Sequence, residues 1–147
     1  MTLKRFDEFI KLGIARKQTS NKARALAIIE EAKNKKQYLE MSIKAIPKEK
    51  LNANIIVDQC YDIIMELIRA KLYVDGYNAG NSHEAEVSYL KVLNFLESEV
   101  RFMDELRYYR NGTKYYGTIL DINYAEHVMA FMKKIYPKLL ETFRDKK

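Results

Sequence analysis

The sequence predicts an all-α protein: an up-and-down antiparallel four-helix bundle with a short N-terminal helical extension. Three observations carry this. Glycine and proline are scarce, five and two in 147 residues, so regular structure must dominate. Apolar residues recur at three-to-four spacing along most of the chain, and no run alternates with period two for long enough to make a strand. The periodic stretches are joined by short turn-forming segments, which makes consecutive long helices antiparallel neighbours.

Taken in order, residues 1–18 read as an amphipathic helix with Phe6, Phe9, Ile10 and Ile14 on one side. "QTSNKA" is a turn whose Ser20 or Asn21 caps the next helix. That helix spans Lys22 to about Ala45, with Ala25, Ile28 or Ile29, Ala32, Leu39, Ile43 and Ile46 as its apolar side, and Pro47 stops it. A second long helix is expected from about Lys48 to Tyr73, striped by Ile56, Cys60, Ile63, Leu67 and Ala70. "DGYNAGNS" ends it. Ser82 is a candidate cap for a helix carrying Ala85, Glu86, Tyr89, Val92 and Leu93. A further stripe through Leu96, Val100, Met103, Leu106 and Tyr109 or Arg110 breaks near Asn111-Gly112 or continues briefly past it. The last helix places Ala125, Val128, Met129, Met132, Ile135 and Leu139 inward, and Pro137 either kinks it or begins a final turn.

The bulk numbers suit one domain over residues 1–147, with 48% hydrophobic and 31% charged residues. Cys60 is the single cysteine, so no internal disulfide exists, and its setting "VDQCYDII" marks it as a core residue. No stretch approaches the roughly 18 apolar residues of a membrane span, and the charged N-terminus is unlike a secretory signal. The expected location is the cytoplasm, with no membrane partner. Formal net charge is +6 and uneven: residues 1–50 hold 13 Lys/Arg against 6 Asp/Glu, and the remainder 13 against 14. A basic first third either attracts phosphates or is a solvated helix face. The richness in Lys, Ile and Tyr suits a thermophile or an archaeal source.

Several chemistries are excluded. There is no phosphate-binding glycine loop after a strand, and no paired histidine or Glu-x-x-His spacing for a metal. The expectation is no cofactor and no metal. The carboxylate pairs Glu30-Glu31 and Asp104-Glu105 are adjacent on helices and point apart. His83, next to the cap, is either a helix-start residue or a polar member of a site near the helix end. His127, among Ala, Val and Met, reads as packing or surface.

The densest concentration of possible chemistry is "RYYRNGTKYYG", residues 107–117. Arg110 offers a planar fork matched to phosphate, with Asn111 beside it. The tyrosines offer faces for base stacking. Arg107 and Lys114 add charge on either side. Equally, Asn-Gly is a common helix stop, and Tyr109 and Tyr116 suit a core. Both readings stand on residue chemistry alone.

The order along the chain adds to this. A lysine-rich amphipathic helix is followed by "YDIIMELIRAKLYVDGYNAG", "SHEAEVSYL", "ELRYYRNGTKYYG" and a closing helix. This resembles the HEPN domain family, with a core over about residues 22–144 and residues 1–19 as the N-terminal extension. "IRAKLYVDGY" is similar to the end of the family's second helix, and Arg110-Asn111 to its Arg-polar signature. The resemblance implies a four-helix bundle that pairs as a homodimer, the two signature segments facing one cleft. Many members are metal-independent endoribonucleases, some of them toxins paired with a small nucleotidyltransferase. Their site joins an arginine, the polar residue after it and a histidine four to six positions on; here Tyr115 and Tyr116 stand where the histidine would be.

Histidine titrates near 6.5 and tyrosine near 10, so tyrosine is a poor base at neutral pH. The expectation is therefore a protein binding RNA or a nucleotide through Arg110, Asn111, Tyr115 and Tyr116, with Arg107, Tyr109 and Lys114 in support and catalysis weak or absent. Arg110, Asn111 and Tyr115 are the candidates for any catalysis. The alternatives are an endoribonuclease of a toxin–antitoxin or defence system, and an interaction partner of a minimal nucleotidyltransferase.

Overall fold

The computed structural model describes residues 2–115 and 119–144, the side chains of residues 112–115 excepted. Among the described residues the chain is predominantly helical, with six α-helices and one two-stranded sheet. Helix α1 (Phe6–Lys11) is followed by strand β1 (Arg16–Lys17), helix α2 (Lys22–Ala45) and a 3-10 turn at Lys48–Lys50. Helix α3 (Ala53–Asp75), strand β2 (Tyr77–Asn78), α4 (His83–Val92), α5 (Glu97–Tyr115) and α6 (Ile122–Glu141) complete it.

Helix α3 is the centre, packed against α2, α6, α4, α5 and β2. The sequence explains why. Ile63, Ile64 and Met65 are consecutive and all buried, so the apolar surface wraps most of the helix instead of forming one stripe. The expected stripe residues Ile56, Cys60, Ile63, Leu67 and Ala70 are all in the core, and burial pushes the Cys60 thiol up to about 12. Helix α2 buries only Ala25, Ala32 and Leu39, a narrow strip against α3, and leaves Ile46 exposed.

The helix starts are set by short polar side chains. Asn21 accepts from the Arg24 N–H at 3.0 Å, Asn52 from Ile55 at 3.0 Å, Ser82 from Ala85 at 3.0 Å and Asp121 from Tyr124 at 2.8 Å. Asn21 is thus the cap of α2, while Ser20 does something else: its hydroxyl donates to the Val74 carbonyl at 2.7 Å. Asn21 N–H donates to Tyr73 and Gln18 N–H to Gly76, both at 2.9 Å. The chain entering α2 therefore satisfies the orphan carbonyls at the end of α3.

Several element boundaries differ from the expectation. The first helix stops at Lys11, where Gly13 at φ +76° turns the chain, and Arg16 and Lys17 pair antiparallel with Asn78 and Tyr77. Two residues are too short for a period-two signal. Phe6 and Phe9 are buried as expected, and Phe6 meets the rings of Tyr77 and Tyr89 edge-on. Helix α3 begins at Ala53, not Lys48, because Asn52 supplies its cap. Asn94 at φ +64° separates α4 from α5, leaving Leu96 exposed ahead of the stripe Val100, Met103 and Leu106. Of the two courses expected for α5, the structure shows the longer, through Asn111 and Gly112 to Tyr115, and α6 runs through Pro137 to Glu141. No helix among the described residues is long and apolar enough to cross a membrane.

Candidate functional site

One line of α3 escapes the core. Asp58, Asp62, Glu66 and Arg69 recur at spacings of four, four and three, which places them on one side of the helix, and all are half-buried. Side chains from three other helices meet this line, giving a seam of alternating charge.

Arg110 of α5 lies across its first turn. Its Nε donates to Asp58 Oδ1 at 2.7 Å and its Nη2 to Asp62 Oδ1 at 3.4 Å, and its guanidinium lies 5.3 Å from the centre of the Tyr61 ring. Only 13% of the Arg110 side chain is exposed. Burial works against its charge, and the two carboxylates outweigh burial, so the guanidinium is held more firmly protonated than usual. Asp62 moves the other way. Burial and then the neighbouring Asp58 carboxylate push it above the usual range, opposed by Arg110 and Lys35. Burial likewise keeps the Tyr61 phenol protonated, with the charges of Arg110 and Arg107 pulling against it.

Further along the seam, Lys35 of α2 donates to Glu66. Arg69 then meets Glu86 of α4 in a two-pronged pair, Nε to Oε2 at 2.7 Å and Nη2 to Oε1 at 3.1 Å. His83 Nδ1 sits 2.9 Å from Glu86 Oε1, and its ring meets Tyr61 edge-on with centroids 6.3 Å apart. Between α2 and α3 an open groove of about 530 Å³ is lined in part by Glu31, Lys35, Tyr38, Asp58 and Asp62. Three carboxylates to one lysine give that groove the wrong sign for a phosphate. On the α5 side of the seam Arg110 supplies a positive charge, shared with Asp58 and Asp62, and Asn111 an uncharged donor and acceptor.

The expected site residues fall into three groups. Arg110 joins the seam, and Asn111 follows it, half-buried. Arg107 makes a local pair, Nε to Asp104 Oδ1 at 2.9 Å, and Tyr109 stacks edge-on against Tyr124 of α6 at 5.2 Å, so both have structural work as well. Lys114 and Tyr115 lie on the last turn of α5 with side chains outside those described, and Tyr116 lies outside the described residues. Tyr108, absent from the expected set, is 69% exposed beside Tyr109. Of the two histidines, His127 is exposed on α6, and His83 belongs to the seam. No cluster of residues suited to a metal occurs among the described residues.

Protein-family models, curated proteins and solved structures give no match to the chain.

Asp58, Tyr61 and Asp62 are site residues absent from the set expected from the sequence. Their signal was present: two aspartates four apart within a largely apolar helix need a cationic partner if that face is covered. Which cation supplies it is a tertiary fact, since Arg110 is 52 positions from Asp58.

Proposed function

We propose that this is a HEPN-like protein of the cytoplasm that binds RNA or a nucleotide at a homodimer cleft built around the Arg110 end of α5. Its helices would form the family's four-helix bundle, with catalysis by the 110–116 segment weak or absent. The observation that supports the reading best is the fixed position of Arg110. The guanidinium is held by two aspartates against a tyrosine face, so the entropy of ordering it is largely spent before a ligand arrives. Asn111 adds a donor and an acceptor, and exposed Tyr108 adds a stacking face.

The aspartates also set the terms of binding. A phosphate that takes Arg110 exchanges with a carboxylate, most easily with Asp58, whose side chain is 46% exposed. Affinity is then a difference between two charge-assisted pairs and is modest. The pairing of the Arg110 charge with two carboxylates favours one other reading, the interaction partner of a nucleotidyltransferase-type protein, in which Arg110 holds a helix surface in shape. A metal-independent endoribonuclease of a toxin–antitoxin or defence system is the remaining alternative. Retention of single-stranded RNA by wild type and by Arg110→Gln separates the readings. Loss of retention in the variant, with unchanged helical content, supports binding; no retention by the wild type removes it.

A further inference from the structure

The segment 110–116 contains no group that exchanges a proton readily at neutral pH, but the seam places one nearby. We infer that His83 is the proton acceptor of an RNA-cleaving site, oriented by Glu86 and Arg69, for an RNA held at Arg110. The inference rests on the RNA-binding reading above.

The geometry is that of a positioned imidazole. Glu86 is almost fully buried, at 4% side-chain exposure, and Arg69 supplies a donor to each of its oxygens. An ionised carboxylate only accepts hydrogen bonds, so His83 Nδ1 must carry the proton in the 2.9 Å contact with Oε1. The Nε2 lone pair is then the basic site, fixed by its partner on the other side of the ring. Glu86 gains little from this third donor, whereas His83 gains a defined tautomer and ring plane. The edge contact with Tyr61 restrains the plane further. Tyr61 also lies against the Arg110 guanidinium, so the cation and the imidazole share one aromatic ring. His83 itself remains open to solvent, with 43% of its side chain exposed.

The step balances without an oxidant or reductant. His83 Nε2 takes the proton of a ribose 2′-hydroxyl, and the 2′-oxygen bonds to the adjacent phosphorus. The bond from phosphorus to the 5′-oxygen of the next nucleotide breaks, and that oxygen takes a proton from water. The imidazolium then returns its proton to the hydroxide left behind. The products are a 2′,3′-cyclic phosphate and a 5′-hydroxyl, with Arg110 facing the phosphate charge.

The test incubates single-stranded RNA with wild type, His83→Ala and His83→Asn, measuring cleavage ends and retention together. The asparagine keeps a donor for Glu86, which guards against a folding defect. The expected result is cyclic-phosphate ends from the wild type, cleavage lowered about 100-fold or more in both variants, retention unchanged, and activity restored to His83→Ala by added imidazole. Cleavage that survives in both variants overturns the assignment. Retention without any cleavage by the wild type also overturns it while leaving the binding reading intact, and absence of both removes the two together.

Discussion

Arg110 of α5 and Asp58 of α3 stand 52 positions apart in the chain and 2.7 Å apart in the fold, with Asp62 one turn further along α3 sharing the same guanidinium. The residue best suited to grip a phosphate is thus already engaged by carboxylates. That pairing ties the stability of the seam to any ligand chemistry at its end.

The first consequence concerns competition. Asp58→Asn removes the charge that a phosphate has to replace, at a position where a half-exposed ion pair is worth about 1 kcal/mol. RNA retention should strengthen about fivefold in this variant, read by filter-binding titration at fixed salt. Unchanged or weaker retention would mean that Arg110 does not exchange partners.

Asp62 gives a prediction of opposite flavour, about stability. Its pKa is raised in the fold, by burial first and the Asp58 charge second. The wild type therefore carries a penalty at neutral pH that disappears as pH falls through the raised value toward about 3.9, the ordinary aspartate value. Asp62→Asn should melt at or above the wild-type temperature at pH 7, and the two should converge near pH 4. A variant several degrees less stable at pH 7 would show that the contact with Arg110 outweighs the penalty.

Gly76 closes α3 in the left-handed region, at φ +85°, and a Cβ there would stand 2.8 Å from the Gln18 carbonyl oxygen. That carbonyl belongs to the backbone joining β1 to α2, so it cannot swing aside as a side chain would. Gly76→Ala should cost about 2 kcal/mol and lower the melting temperature by about 4–8 °C. Differential scanning calorimetry reads this directly, and a shift under a degree would contradict it.

Near the start of α5, buried Glu99 receives Lys138 Nζ at 2.6 and 2.7 Å and the Leu96 N–H at 2.9 Å. Burial alone would raise its pKa, and these donors overcome burial and hold it below the usual range. Its contribution is full above about pH 5 and lost as pH falls through the lowered value. Glu99→Gln should cost about 1–3 kcal/mol at pH 7 by urea denaturation, a difference that shrinks on acidification. An equal difference at pH 3 would assign the loss to packing.

The sequence made α2 legible to both ends, because Asn21 and Pro47 are local signals at its boundaries and its apolar strip has helical spacing. The stripe of α3 and most of the inward face of α6 were legible for the same reason. The break at Asn94 was not: a single non-glycine residue at positive φ has no compositional mark. The two-residue strands were invisible because their pairing is set by how the entry to α2 caps the end of α3. Arg110 was legible as chemistry, and its commitment to Asp58 and Asp62 was not, since ion pairing between helices depends on how the helices pack. His83 is marked in the sequence by its place beside Ser82, and its spacing of three from Glu86 puts the two on one side of α4.

A contact between Arg110 and an RNA phosphate would show in the salt dependence of binding. Single-stranded RNA is titrated against wild type and Arg110→Gln across a range of salt concentrations. Wild-type affinity should fall steeply with salt, and the variant should bind more weakly with a slope lower by about one unit. Superimposable lines for the two proteins, or a wild type that holds no RNA even at low salt, would contradict it.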